Sequence, residues 1–274
     1  MGDSKNIVIV IPIYKRITSK YDLISFKRMV KVFCNRDIRI FSPESNYKYI
    51  KELCNGQANI DFELFENKYF KSVKGYNRLL MSKEFYKRFE SYAYMLICQL
   101  DVYVFKDELS LWLNKGYDNI GAPIFKGYSK PSVVFQKIGN NGGFCLRNIQ
   151  KCIDVLNSIK FRYFSISTIM RIEEKPILKL FRFFRDGLLF NYNLNKLKPI
   201  INEDVFWSVI VPIEIKTFKS CPANEAMYFA FDANPKYLYK KTNNNLPLAI
   251  HAWWRYDLEF VRKLIQLNVD ERIK

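Results

Sequence analysis

The sequence predicts an α/β protein built on a mainly parallel sheet with helices on both faces. Three observations carry that expectation. Ile7 to Ile13 is an unbroken apolar, largely β-branched run, the pattern of a strand covered on both sides. Apolar runs then alternate with helical spacings in the order β-α-β-α-β. A central run from Tyr94 is interrupted at Gln99-Leu100-Asp101 before a short apolar run resumes to Phe105. A buried strand does not accept an unpartnered carboxylate cheaply, and open α/β sheets bind ligands beyond the carboxyl ends of their strands. Asp101 is therefore a candidate site residue, with a turn or helix-capping role as the equal alternative.

The elements follow in order. After the first strand, Leu23, Phe26, Met29, Val30 and Phe33 repeat at helical spacing, and Ile38 to Phe41 reads as a second strand. Ser42-Pro43-Glu44 predicts a helix start, with a capping hydroxyl, a proline and an early acid. Ile60 to Phe65 is a third strand, and Lys71 to Phe89 reads as one helix. Asp107 is placed to cap a short helix that Gly116 closes, and Tyr117 to Pro123 returns to the sheet. Helices are expected from Ile149, from Asn224 and from Tyr256 to Leu267.

Composition narrows the function classes. Of 274 residues 49% are hydrophobic, which excludes global disorder and allows one large domain. A formal charge of +17 points to an acidic partner: a nucleotide, a phosphorylated lipid, an anionic membrane surface or nucleic acid. A solvated lysine-rich surface gives the same balance. Six cysteines without a C-x-x-C pair read as reduced core residues of a cytoplasmic protein. No stretch is long enough for a transmembrane helix. The segment 161–200, including Leu178 to Arg185, mixes aromatic and basic residues and suits either packing on the main domain or peripheral contact with the inner face of the plasma membrane.

Three further stretches bear on chemistry. Gly139 to Arg147 holds three glycines within five residues, so its backbone can approach a ligand closely, and it reads as a substrate-contacting loop or a hairpin turn. Glu203 and Asp204 open an apolar helical run, where acids either complement the exposed amides or act as a general base. His251 is the only histidine, which excludes multi-histidine metal sites; it is a ligand able to complete a site with Asp101, or a hydrogen-bonded structural residue.

Taken together, Tyr76 to Leu79, Gln99 to Phe105, Lys115 to Pro123, Gly139 to Arg147, Asn202 to Trp207 and His251 to Trp253 resemble a bacterial family of unknown function grouped with the GT-A glycosyltransferases. The resemblance spans about residues 70 to 260. It implies a single GT-A-like, Rossmann-type domain, 1–125 binding the nucleotide sugar and 126–274 the acceptor. It also implies Asp101 and His251 as ligands to Mn²⁺ or Mg²⁺, and Asp204, with Glu203, as catalytic carboxylates. Arg78, Gln99, Asn141, Gly142, Gly143 and Trp253 would then contact donor or acceptor. Gln99 stands where the family pattern D-x-D has its first acid, so the site supplies less charge to a cation. Lys15 and Arg16, or Arg78, are the cations able to meet the phosphates instead. The implied activity is sugar transfer from a nucleotide sugar, such as a UDP-sugar, to a glycan or lipid-linked acceptor of a surface polysaccharide, with inversion if Asp204 is the base. The rival class is a non-catalytic basic module on a membrane or nucleic acid; against nucleic acid, the aromatics follow core-like patterns.

Overall fold

The computed structural model describes residues 7–57, 59–127, 131–158 and 202–270, together with Pro176, Ile177 and Leu180. The rest of the 161–200 segment, and the membrane contact expected of it, lie outside the described residues.

The main sheet has six strands in the order β3-β2-β1-β4-β7-β6. Strands β1 (Ile7–Pro12), β2 (Asp37–Pro43), β3 (Ile60–Phe65) and β4 (Tyr94–Cys98) are parallel, while β7 (Phe135–Asn148) runs antiparallel between β4 and β6 (Asn119–Phe125). Strand β1 is buried along its whole length. Ile7, Ile9 and Ile11 face one apolar layer with Phe26, Met29 and Phe33; Val8 and Val10 face the other with Leu79, Leu80 and Phe85. Two covered faces are why the run shows no polar alternation.

Ser19 caps α1 (Lys20–Val32), accepting from the amides of Tyr21 and Asp22. The expected helix start at Ser42 is displaced. Strand β2 continues through Pro43, Ser42 donates its hydroxyl to the Ile13 carbonyl at 2.6 Å, and α2 (Tyr47–Leu53) follows a 3₁₀ turn. The single helix expected over 71–89 is two, α3 (Val73–Leu80) and α4 (Lys83–Lys87). Ser72 caps the first and Ser82 the second, so a serine inside the apolar periodicity ends one helix and starts another. Asp107 accepts from the Leu109 amide at α5 (Leu109–Leu113), and Gly116 takes a left-handed φ of 66° behind it.

After α6 (Ile149–Ser158), the described chain resumes at Asn202 and enters α7, helical at Glu203–Val205, a π turn at Phe206–Ile210 and helical again at Val211–Glu214. Helices α8 (Ala223–Phe229), α9 (Pro235–Lys241) and α10 (Leu258–Asp270) complete the chain. A second sheet, β5-β9-β8, is formed by Val102–Val104, Ala249–His251 and Ala230–Phe231. The five described buried cysteines and exposed Cys34 are all free thiols.

The glycine-rich stretch is not a loop feeding a strand. It lies inside β7, whose pairing with β6 is irregular: Gly121 opposes Cys145, but Pro123 opposes Asn140. Three residues of β7 are thus out of step with β6 and bulge from the ladder. Gly121 makes room for the bulge, since a Cβ there would sit 2.1 Å from the Asn141 carbonyl oxygen.

Candidate active site

The small sheet delivers three side chains to one edge. Asp101 directly precedes β5, whose Val102 pairs with His251 at the end of β9. Asp232 directly follows β8, whose Phe231 pairs with Ile250. His251 is consequently flanked on both ring nitrogens: Nε2 lies 3.2 Å from Asp101 Oδ2 and Nδ1 lies 3.1 Å from Asp232 Oδ1. Burial disfavours the charged ring, but the two carboxylates outweigh it and raise His251 to about 10. Burial likewise works against the Asp101 charge, and the bond and charge of His251 hold it below the usual carboxylate range. Asp232 was not singled out in the sequence. Only the pairing register beside His251 reveals it.

The β7 bulge continues this network. Asn141 donates from Nδ2 to Asp232 at 3.2 Å and accepts at Oδ1 from the Gly143 amide at 2.7 Å. The Gly143 carbonyl accepts from the Gln99 amide at 2.9 Å. Asp101 is thereby tied to the bulge through the Gln99–Asp101 turn as well as through His251 and Asp232.

The opposite wall is α7. Arg147, fully buried, forms an ion pair with Glu203 and donates to the Tyr86 hydroxyl at 3.1 Å. Burial pushes Glu203 up to about 7, against the pull of that guanidinium. The Glu203 amide donates to Asn77 Oδ1, and Trp207 pins the helix by donating its indole N–H to the Leu80 carbonyl at 3.1 Å. Asp204 is left on the cavity side, with Oδ1 accepting from the Val205 amide at 2.7 Å. Burial raises its carboxyl above the ordinary aspartate value, although this bond and the Arg147 charge oppose the shift.

Gly142 and Gly143 are the contact between the two walls. A Cβ on Gly142 would stand 2.4 Å from Glu203 Oε1 and 3.1 Å from Asp204 Cβ; one on Gly143 would stand 2.3 Å from the His251 ring. Both glycines are required by close approach. Neither is among the positive-φ residues.

These groups open into one cavity of about 630 Å³. It holds Gln99, Asp101, Asn141, Gly142, Gly143, Glu203, Asp204 and His251, with Lys15 and Arg16 from the loop after β1. Two expected contacts are absent from its lining. Arg78 is exposed on α3, which turns Tyr76 and Asn77 to the cavity instead. Trp253 is buried, donating to the Ser25 hydroxyl at 2.9 Å and packing on Tyr21 and Tyr103; its neighbour Trp254 reaches the cavity.

The expectation of Mn²⁺ or Mg²⁺ can be tested on the donor set. Among the described residues no group of three or more His, Cys, Asp or Glu side chains is arranged to hold a metal. Asp101 Oδ1, however, is buried without a hydrogen-bond partner beside His251. Asp101 fits a cation that takes most of its ligands from a bound diphosphate and water, the usual habit of Mg²⁺; the His251 imidazole is a nitrogen donor outside that oxygen set and would have to release its Nε2 proton to bind. Asp232 on Nδ1 is the outer carboxylate such a histidine ligand ordinarily has.

Among solved structures, mouse xyloside xylosyltransferase 1 is 9% identical with a TM-score of 0.50, covering 89% of this chain and 96% of that one. The galactosyltransferase LgtC, in complex with donor and acceptor sugar analogues, is 18% identical with a TM-score of 0.45, covering 96% and 95%. No curated protein matches the sequence. The fold, a mixed α/β architecture on a large, mainly parallel sheet, is similar to that of the xylosyltransferase. A family model matches residues 59–251, and the chain belongs to that family, described as protein of unknown function DUF5672.

Proposed function

We propose that the protein is a glycosyltransferase that moves a sugar from a nucleotide-sugar donor, such as a UDP-sugar, to a hydroxyl of a glycan or lipid-linked glycan. The observation that carries this reading is the placement of Asp204 and the Asp101–His251 pair on either side of Gly142–Gly143 in one cavity. Sugar transfer needs a base for the attacking hydroxyl and a polar station for the leaving diphosphate, held close and in line.

Asp204 is the general base. The acceptor oxygen attacks the anomeric carbon as the bond to the diphosphate oxygen breaks, and the hydroxyl proton passes to Asp204. Direct displacement inverts the anomeric centre. Burial serves this role, because a carboxylate with a raised pKa is a stronger base. Glu203 stays paired with Arg147 and sets the start of α7, so it is a positioning residue. Asp101 and His251 would hold the divalent cation, Mn²⁺ or Mg²⁺, which neutralises charge on the leaving diphosphate when bound. Lys15 and Arg16 supply fixed positive charge on the same cavity, in keeping with an uncharged Gln99. The biological setting we assign is bacterial surface polysaccharide synthesis, lipopolysaccharide or capsule, at the cytoplasmic face of the membrane.

The test is donor turnover. Nucleotide-sugar consumption with a glycan acceptor, followed by mass spectrometry, should fall about 10²- to 10⁴-fold in Asp204→Asn while donor binding persists. A wild-type chain that turns over no donor and binds vesicles unchanged after Asp204→Asn would favour the binding-module reading.

A further inference from the structure

A second pocket, of about 600 Å³, opens between α9 and the turn that leads into α10. Its cations are Lys236 and Lys240 on α9 and Arg255 on the turn, all exposed. None of the three forms an ion pair with a described residue. Asp257 is the one carboxylate among the lining residues, and its Oδ1 accepts from the Phe260 amide at the start of α10. Tyr237 and Tyr256 are the pocket's aromatic side chains, the Arg255 guanidinium lying 5.5 Å from the Tyr256 ring centre.

Both edges of the pocket are set by unusual backbone. Asn234 and Asp257 have left-handed φ values of 55° and 46°, and the Asn234 side chain is tied to the Ser132 carbonyl at 2.7 Å. Three cations and a single carboxylate line the pocket, so its charge favours an entering anion. A guanidinium fork with two ammonium groups matches a phosphoryl dianion, which has several oxygens to satisfy. Aromatic rings beside it suit the apolar face of a sugar ring.

The position adds a link to the main cavity. Trp254 lines that cavity and Arg255, the next residue, lines the second pocket. We propose that the second pocket binds a phosphoryl group on a sugar, and that it is where a phosphorylated acceptor glycan, or the phosphate of its lipid carrier, docks beside the transfer site. Calling the ligand an acceptor rests on the transferase reading; the phosphoryl site itself does not.

The experiment is calorimetric titration of a hexose 6-phosphate, with the unphosphorylated hexose as control, into the wild type, Lys236→Glu/Lys240→Glu and Asp101→Asn. UDP titration of the same proteins reports on the main cavity. Expected is saturable binding of the hexose phosphate alone, at least tenfold weaker in the double lysine variant and unchanged in Asp101→Asn. UDP binding should be unchanged in the double variant, which shows it folded. Co-sedimentation with vesicles carrying an anionic phospholipid identifies the source: loss in the double variant assigns the phosphoryl group to a lipid headgroup, and no dependence on the lysines assigns it to the glycan. Equal hexose phosphate binding by wild type and double variant, or none by the wild type on either ligand, would overturn the proposal. If UDP fails to bind the wild type while the hexose phosphate does, the transferase reading fails and the phosphoryl site stands.

Discussion

His251 Nδ1 stands 3.1 Å from Asp232 Oδ1, on the side of the ring away from Asp101. That bond fixes the ring so that Nε2 points at the cavity edge, and Asn141 ties Asp232 to the β7 bulge. Asp232→Asn should weaken cation affinity about 10- to 100-fold, and donor turnover with it. Titration of Mn²⁺ in the presence of UDP checks this. An unchanged affinity would make Asp232 a structural residue only.

Gly143→Ala places a methyl group on the His251 ring, 2.3 Å from Cδ2 and Nε2. The ring cannot yield without leaving both carboxylates. The expected result is a loss of about 1–3 kcal/mol in stability and at least 10²-fold in turnover, checked by urea denaturation and donor consumption. Gly56→Ala is a useful contrast: nothing lies within 4 Å of its Cβ position, so its cost is confined to the strained φ of 83°.

Arg147→Met leaves Glu203 in the core without its ion-pair partner. Breaking a buried pair from one side costs about 3–5 kcal/mol. The double variant Arg147→Met/Glu203→Gln should recover part of that loss. Thermal denaturation of both, with Asp204 untouched, separates the role of the pair in folding from the role of Asp204 in transfer.

The charged His251 gives a pH signature in the metal-free protein. Its folded value, about 10, lies above the ordinary 6.5. The folded state therefore binds the proton more tightly, so its contribution is fully present below pH 6.5 and is lost as pH rises through about 10. Urea midpoints measured with a chelator should fall between pH 6.5 and 10 more steeply for the wild type than for His251→Gln. Identical slopes would contradict the placement of the imidazole between two carboxylates.

The fold was legible where burial is two-sided. Ile7 to Ile13 announced β1, and the β-α-β-α-β order gave the parallel half of the sheet. The breaks were less legible. Ser72 and Ser82 act through hydroxyl contacts three residues away, and the apolar spacing of Leu79, Leu80 and Phe85 runs through the interruption. Asp101 was identifiable as a carboxylate interrupting an apolar run, His251 as the sole histidine, Glu203 and Asp204 as acids opening a helical run, and Gly142 and Gly143 as part of a glycine-rich stretch; they line one cavity. Asp232 was not, because its meaning comes from the register of two-residue β8 against β9. Arg78 and Trp253 were misplaced because each has a neighbour on the other face of its element. Helix phase at Tyr76-Asn77-Arg78, and the left-handed Ala252 before Trp253-Trp254, decide which residue turns inward.

The most direct test is a thermal-shift screen of UDP-, GDP-, CMP- and dTDP-sugars with and without Mn²⁺, on the wild type and Asp101→Ala. A shift with one nucleotide that grows with Mn²⁺ in the wild type and loses that increment in Asp101→Ala is the result expected. No shift with any nucleotide sugar, with or without the metal, would contradict a donor site between Asp101 and Asp204.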